Sequence, residues 1–332
     1  MVRMRAFKTL KVLMSTILSI SAFGVHNYAT AAETEYVNYQ QILQEERAWA
    51  GLRSKTLRVG DVVWSYSEGG NPNAPTVLLL HGLASDRDSW NRIAHDLTPS
   101  YHVIIPDLPS SGRTQIPSNL DLSINNVTEQ LRRFLEATRS TNNLNIAGHS
   151  LGGSVALFYA SKYPDDTRSL LLMSIGGPFT SSNTTYLSNP VYLKQLIVAQ
   201  PGDLDFVNRK VMVNPPFIPS IIKKEQEKSF IKDSQETAKV IEELSNINKY
   251  YNRAAFTKML HEIKSPTLII WGKQDQIVNV EIANELKGML KNAEAPVLLN
   301  HVGHVPILEA DQLVIQNYLP FLKKVNNPQP QQ

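Results

Sequence analysis

Apolar residues along the chain fall into two patterns. Residues 76–80, 103–107, 144–147, 169–175, 267–271 and 297–299 are short, nearly continuous apolar runs bounded by turn residues. Such runs predict strands buried on both faces of a helix-covered sheet. Residues 90–97, 127–138 and 151–163 place their apolar positions at helical spacing instead, the last with Val155, Ala156, Tyr159 and Ala160. Residues 36–49 predict an amphipathic lead-in helix, and residues 55–59 and 62–66 two strands joined at Gly60-Asp61. Strands alternating with helices imply an α/β fold with a mostly parallel sheet covered on both faces.

The alternation stops between residues 176 and 264. That stretch shows helical pieces rich in Leu, Ile, Tyr and Phe, broken by Asn214-Pro215-Pro216-Phe217-Ile218-Pro219, and it predicts an inserted, mainly helical cap. The expected organisation is a leader at 1–31, a core at 32–175 and 265–324, a cap at 176–264 and a polar, disordered tail at 325–332. There is no internal repeat. A chain of 332 residues is long enough for one large domain with such an insertion.

Charge and composition narrow the partners. Arg3, Arg5, Lys8 and Lys11 precede a mostly apolar segment at 12–25 and a small-residue site, Ala29-Thr30-Ala31. This is the pattern of a cleaved secretory signal. The segment is too short for a spanning helix of about 20 residues, so a secreted or periplasmic location is expected, with an uncleaved anchor as the alternative. Residues 1–31 hold those four basic residues and no acidic one, so their removal takes the formal charge from +3 to −1. No basic footprint for nucleic acid then remains. The chain has no cysteine, which excludes disulfides, thiol catalysis and Cys-bound metal. No H-E-x-x-H or other dense ligand pattern occurs, and neither a metal nor an organic cofactor is expected. Asn126-Val127-Thr128 and Asn183-Thr184-Thr185 fit the glycosylation pattern, which matters only in a glycosylating host.

Candidate chemistry centres on Gly148-His149-Ser150-Leu151-Gly152, set between a predicted strand and a predicted helix. A serine on so sharp a turn takes a strained backbone, and Gly148 and Gly152 remove Cβ atoms that would clash. A nucleophilic serine needs a base, and the base an acid to orient it. In this sheet architecture their chain order is Ser, Asp or Glu, then His. Asp275 follows the first strand after the insertion and His304 follows the second. Ser150 is therefore read as nucleophile, His304 as general base and then acid, and Asp275 as the residue that orients the imidazole. His301 is the competing base; His304 is preferred because Gly303 before it allows a sharp turn. Met173-Ser174-Ile175-Gly176-Gly177 offers no rival carboxylate, and Asp107, which also ends a strand, is read as holding the turn behind it. The oxyanion donors are expected to be the backbone N–H groups of Leu151, at the start of its helix, and of Leu83, after His81-Gly82.

These motifs carry a resemblance. Leu80-His81-Gly82-Leu83, Pro106-Asp107-Leu108, Gly148-His149-Ser150-Leu151-Gly152-Gly153, Trp271-Gly272-Lys273-Gln274-Asp275 and Gly303-His304 together resemble the α/β-hydrolase superfamily over most of the mature length. The 214–219 segment and Gly303-His304-Val305-Pro306 look most like the cold-active bacterial lipases and the monoacylglycerol lipases. The resemblance implies hydrolysis of carboxylic esters, with acyl glycerols or related acyl esters as substrates and a lipid interface as a candidate contact. Ser110 departs from it, because relatives often carry glycine there. Leu187, Val191, Leu193, Leu196, Ile197, Phe217, Ile218, Ile221 and Ile222 are the cap residues from which an acyl channel is expected to draw a minority, the rest packing the cap. A carbon–carbon bond hydrolase, a haloperoxidase-like enzyme or an acyltransferase uses the same triad, and a non-catalytic lipid-binding module keeps the same fold. Ser150 argues against the dehalogenases and epoxide hydrolases of this fold, which use an aspartate nucleophile.

Overall fold

The computed structural model describes residues 39–109, 111–245 and 251–327. The expected leader, Ser110 and residues 328–332 of the expected tail lie outside these. The first helix, α1 (Tyr39–Trp49), leads into the hairpin β1 (Leu52–Val59) and β2 (Val62–Gly69), paired antiparallel with Val59 opposite Val62. From there strands and helices alternate: β3 (Thr76–Leu80), α2 (Asn91–Leu97), β4 (His102–Pro106), α3 (Ile124–Ala137), β5 (Leu144–His149), α4 (Leu151–Lys162) and β6 (Thr167–Met173). The eight strands form one sheet in the order β1-β2-β4-β3-β5-β6-β7-β8. All pairings from β4 onward are parallel. The helix-separated apolar runs dictate this, since a parallel pair needs a crossover and the crossover covers a face.

Alternate residues of each central strand enter opposite layers of the core. Leu78, Leu80, Ile146, Leu170, Leu172 and Ile269 pack against α3 and α4, including Leu131, Phe134, Val155 and Tyr159. Val77, Leu79, Ala147, Leu171, Leu268 and Ile270 pack on the other side against Ile93 and Leu97 of α2 and against the C-terminal helix. That period-two division is the reason these strands read as continuously apolar.

Between β6 and β7 (Thr267–Gly272) the described residues hold helices and no strand. These are α5 (Thr185–Ser188), α6 (Pro190–Lys194), α7 (Asp203–Val211), α8 (Ser220–Lys232), α9 (Ser234–Ser245) and α10 (Arg253–Glu262). The break between α7 and α8 is the Pro215-Pro216 and Pro219 segment, where the missing N–H groups and fixed φ stop a helix. After β7 come α11 (Glu281–Met289), β8 (Val297–Leu299), α12 (Pro306–Glu309) and α13 (Asp311–Asn326). Val325 and Asn326, which sequence reasoning placed in the tail, belong to α13. The Val325 carbonyl accepts from Arg168 Nε at 2.9 Å and the Asn326 amide reaches Asn145 in β5, so the helix end is held by the sheet.

Candidate active site

The site lies at the C-terminal ends of the parallel strands, where four loops converge. Ser150 sits between the last residue of β5 and the first of α4, with φ 51° and ψ −118°. A non-glycine residue in that region stores about 1–3 kcal/mol of strain. The surrounding structure holds it there: the Ser150 N–H donates to the Met173 carbonyl at 2.9 Å. The glycines permit the close contacts. A Cβ on Gly152 would stand 2.3 Å from the Leu80 carbonyl oxygen and 2.5 Å from that of His81, and one on Gly148 2.4 Å from the Gly152 oxygen. The start of α4 therefore abuts the end of β3.

The structure brings Ser150, His304 and Asp275 into one hydrogen-bonded line. His304 Nε2 is 3.1 Å from Ser150 Oγ. His304 Nδ1 is 2.9 Å from Asp275 Oδ2 and 3.2 Å from Oδ1. A carboxylate only accepts, so Nδ1 carries the proton and Nε2 is left to accept from the serine hydroxyl. Asp275 Oδ1 also accepts the N–H groups of Ile277 and Val278, both at 2.9 Å. The carboxylate is thereby fixed by its own turn before it meets the imidazole. Both residues are buried, at 8% and 7% exposure, which strengthens each of these bonds relative to water.

His301, the competing base, is exposed with φ 59° and forms no bond with Ser150 or Asp275 among the described residues. Asp107 lies apart from the triad. It accepts from the Arg87 N–H at 2.9 Å, from the Arg87 guanidinium and from the Arg113 N–H at 2.9 Å. It holds the turn behind β4, as its strand-end position predicted.

The turn after β3 faces the nucleophile. A Cβ on Gly82 would lie 3.2 Å from Ser150 Cβ and 2.9 Å from His149 Nδ1. His81 orders this turn: Nδ1–H donates to the Gly82 carbonyl at 2.8 Å and Nε2 accepts the Leu108 N–H at 2.9 Å. Complete burial pushes the His81 pKa down, so the ring keeps that neutral tautomer. The Leu83 N–H takes no acceptor among the described residues, and the Leu151 N–H, in the first turn of α4, has no intrahelical acceptor.

Sequence reasoning passed over His149. Its Nε2–H donates to the main-chain carbonyl of His304 at 2.7 Å, and the two rings lie 5.1 Å apart. Burial first, and then the neighbouring His304, push its pKa down to about 3, so it is a neutral donor. The available signal was its place: the last strand residue before a nucleophile faces the same loops as the nucleophile.

A cavity of about 340 Å³ opens beside the start of α4, within the range of small-molecule sites. Leu108, Leu122, Leu151 and Val155 line it from the core, and Val240 and Tyr251 from the segment between β6 and β7. None of the nine residues of which a minority was expected to line an acyl channel borders this cavity. Leu196 is buried in the core, Leu187 and Leu193 pack against it, and Val191, Phe217 and Ile221 are exposed. The described residues contain no group of His, Asp or Glu able to hold a metal ion.

Comparison with known proteins agrees with this architecture. The α/β hydrolase fold family matches residues 75–311. The chain is 32% identical to Lipase 1 of Psychrobacter immobilis over 321 residues, covering 94% of this chain and 96% of that protein. It is 29% identical to the monoacylglycerol lipase ABHD6 of Rattus norvegicus, over 85% of this chain and 86% of that one. The crystal structure of a lipase-assigned protein of Acinetobacter baumannii AYE superposes with a TM-score of 0.87 at 54% identity, covering 92% of this chain and all of that one. With β1 to β8 in this order, a strained serine after β5 and these matches across most of its length, the chain belongs to the α/β hydrolase fold family.

Proposed function

We propose that the protein is an exported serine carboxylic-ester hydrolase of the lipase type, acting on acyl glycerols or related acyl esters. The observation that carries this is the line Ser150 Oγ, His304 Nε2, His304 Nδ1, Asp275, with separations of 3.1 and 2.9 Å. Ser150 Oγ attacks the ester carbonyl carbon while His304 Nε2 takes its proton. The carbonyl oxygen becomes an oxyanion and receives the Leu83 and Leu151 N–H groups, each worth about 3–4 kcal/mol in the transition state. The intermediate collapses, the C–O bond to the alcohol breaks, and His304 returns its proton to the leaving oxygen. The acyl group remains on Ser150. Water then enters, gives its proton to His304 and attacks the acyl carbon, and a second collapse releases the carboxylic acid and restores Ser150. Asp275 keeps the imidazole in the tautomer each step needs and offsets its charge. No step calls for a metal or an organic cofactor.

Further features support the finer parts of the reading. The 340 Å³ cavity is mostly apolar and includes Leu151, one of the oxyanion donors, which suits an acyl chain beside the reacting carbonyl. Residues 176–264 are read as a cap over the site. Phe217 is 86% exposed, with Val191, Tyr192, Val213 and Ile221 also outward, which suits contact with aggregated lipid. Export rests on the basic and then apolar pattern of residues 1–31.

Initial rates on p-nitrophenyl esters from acetyl to palmitoyl, for wild type and Ser150→Ala, test this. Ester hydrolysis that rises with chain length and falls about 10⁶-fold in Ser150→Ala is the expected result. Folded wild type inactive on every ester overturns it and brings the carbon–carbon hydrolase and lipid-binder readings forward.

A further inference from the structure

The loop that carries His304 is bonded to the cap. The His304 N–H donates to the Val211 carbonyl at 2.7 Å, where α7 ends. The Asn214 side-chain amide donates to the His301 carbonyl at 3.0 Å. Glu309 spans the two segments: Oε1 accepts the Gly303 N–H at 2.9 Å, and Oε2 accepts the N–H groups of Val213 and Asn214 at 2.7 and 3.0 Å. Among the described residues no Lys or Arg pairs with Glu309. Its recorded partners are backbone donors, which a carboxylate serves well because its two oxygens offer about four acceptor positions.

The approach is close enough to select the neighbouring residue. A Cβ on Gly303 would lie 2.7 Å from the Val211 carbonyl oxygen and 3.1 Å from Glu309 Oε1. Gly303 therefore admits the 211–214 backbone beside His304. The backbone of His304 is pinned at both polar groups, its N–H by Val211 and its carbonyl by His149, while its ring bridges Ser150 and Asp275.

We propose that Glu309 is a positioning residue that ties the 211–214 strap of the cap to the histidine loop, so that the cap holds the base in place as well as covering the site. The proposal rests on the reading of His304 as the base. Displacing the strap releases the Val211, Val213 and Asn214 bonds together, so cap movement and the placement of the imidazole are coupled.

The test compares the full-length wild type, Glu309→Gln, Glu309→Ala and Ser150→Ala, each well below its own melting midpoint. Two rates are read per folded molecule: steady-state hydrolysis of p-nitrophenyl acetate, and labelling of Ser150 by a small fluorophosphonate. A displaced base costs about 10- to 100-fold in rate. Glu309→Ala is expected to lose that much in kcat and in labelling, with KM little changed. Glu309→Gln keeps one acceptor oxygen and is expected to fall between, and it carries the test if Glu309→Ala does not fold. Wild-type kcat and labelling in the variants, or a change in KM alone, overturns the positioning role while leaving the ester-hydrolase reading intact. A wild type that neither hydrolyses the ester nor is labelled overturns both.

Discussion

The sheet and the segment between β6 and β7 bury their side chains differently. In the sheet, Val77, Leu78, Leu79 and Leu80 of β3 are all fully buried, as are Leu170, Leu171 and Leu172 of β6. In the segment between β6 and β7, Phe256 and Leu260 of α10 are buried, but α8 has no buried residue, and Phe217 and Val191 are more than half exposed. Close packing leaves strand ends little freedom to shift, which the triad distances need. A helix with no buried side chain, such as α8, opens locally at low cost. The two regions meet at Glu309 and Val211, where the looser one is bonded to the loop of the most demanding residue.

The largest effect separating the regions is expected at Asp275. Asp275→Asn removes the acceptor that fixes the His304 tautomer, and kcat on p-nitrophenyl acetate is expected to drop about 10⁴-fold. Ile221→Ala in α8 is expected to leave that rate close to wild type. Equal losses in the two variants would erase the distinction between the regions.

Stability should divide the same way. Leu79→Ala empties a fully buried site and is expected to cost about 2–5 kcal/mol. Ile221→Ala is expected to stay within about 0.5 kcal/mol. Urea unfolding of both variants measures the difference, and comparable costs would mean that α8 packs as tightly as the sheet.

The smallest effect is a slope. Burial holds His149 at about 3, below its ordinary 6.5, so the folded protein binds fewer protons than the unfolded chain between those values. The stability linked to the neutral ring is complete above about pH 6.5 and declines as pH falls towards 3. One such proton contributes up to about 1.4 kcal/mol per pH unit. His149→Asn keeps a donor for the His304 carbonyl without the titration, so its stability should fall less steeply from pH 6.5 to 4. An unchanged slope would place the acid sensitivity elsewhere.

The sheet was legible because its strands carry their own signal: 76–80 and 297–299 were read with the bounds the structure has, and the others within a few residues. The meeting of Ser150, Asp275 and His304 was legible because each follows a strand, and strand ends of a parallel sheet meet on one side. The roles of Gly303 and Glu309 were not. Gly303 read as a turn residue, but its close neighbour is Val211, 92 positions earlier in the chain, and no local pattern reports such a contact. Which of the expected channel residues pack was not legible for a related reason. Amphipathic spacing says that Leu187 or Leu196 faces inward, not what it faces, and both turned to the core. Part of the cavity comes from loops that the apolar pattern marked only as connections, such as Leu108 and Leu122.

The most direct test of a serine ester hydrolase working through Ser150 is to catch the acyl group on it. Wild-type protein mixed with a p-nitrophenyl ester and quenched in acid within the first turnover would be digested and mapped by mass spectrometry. The expected result is the mass of the acyl group on the peptide containing Ser150, and no adduct in Ser150→Ala. Ester hydrolysis at an undiminished rate in Ser150→Ala, or an adduct on another residue, would contradict it.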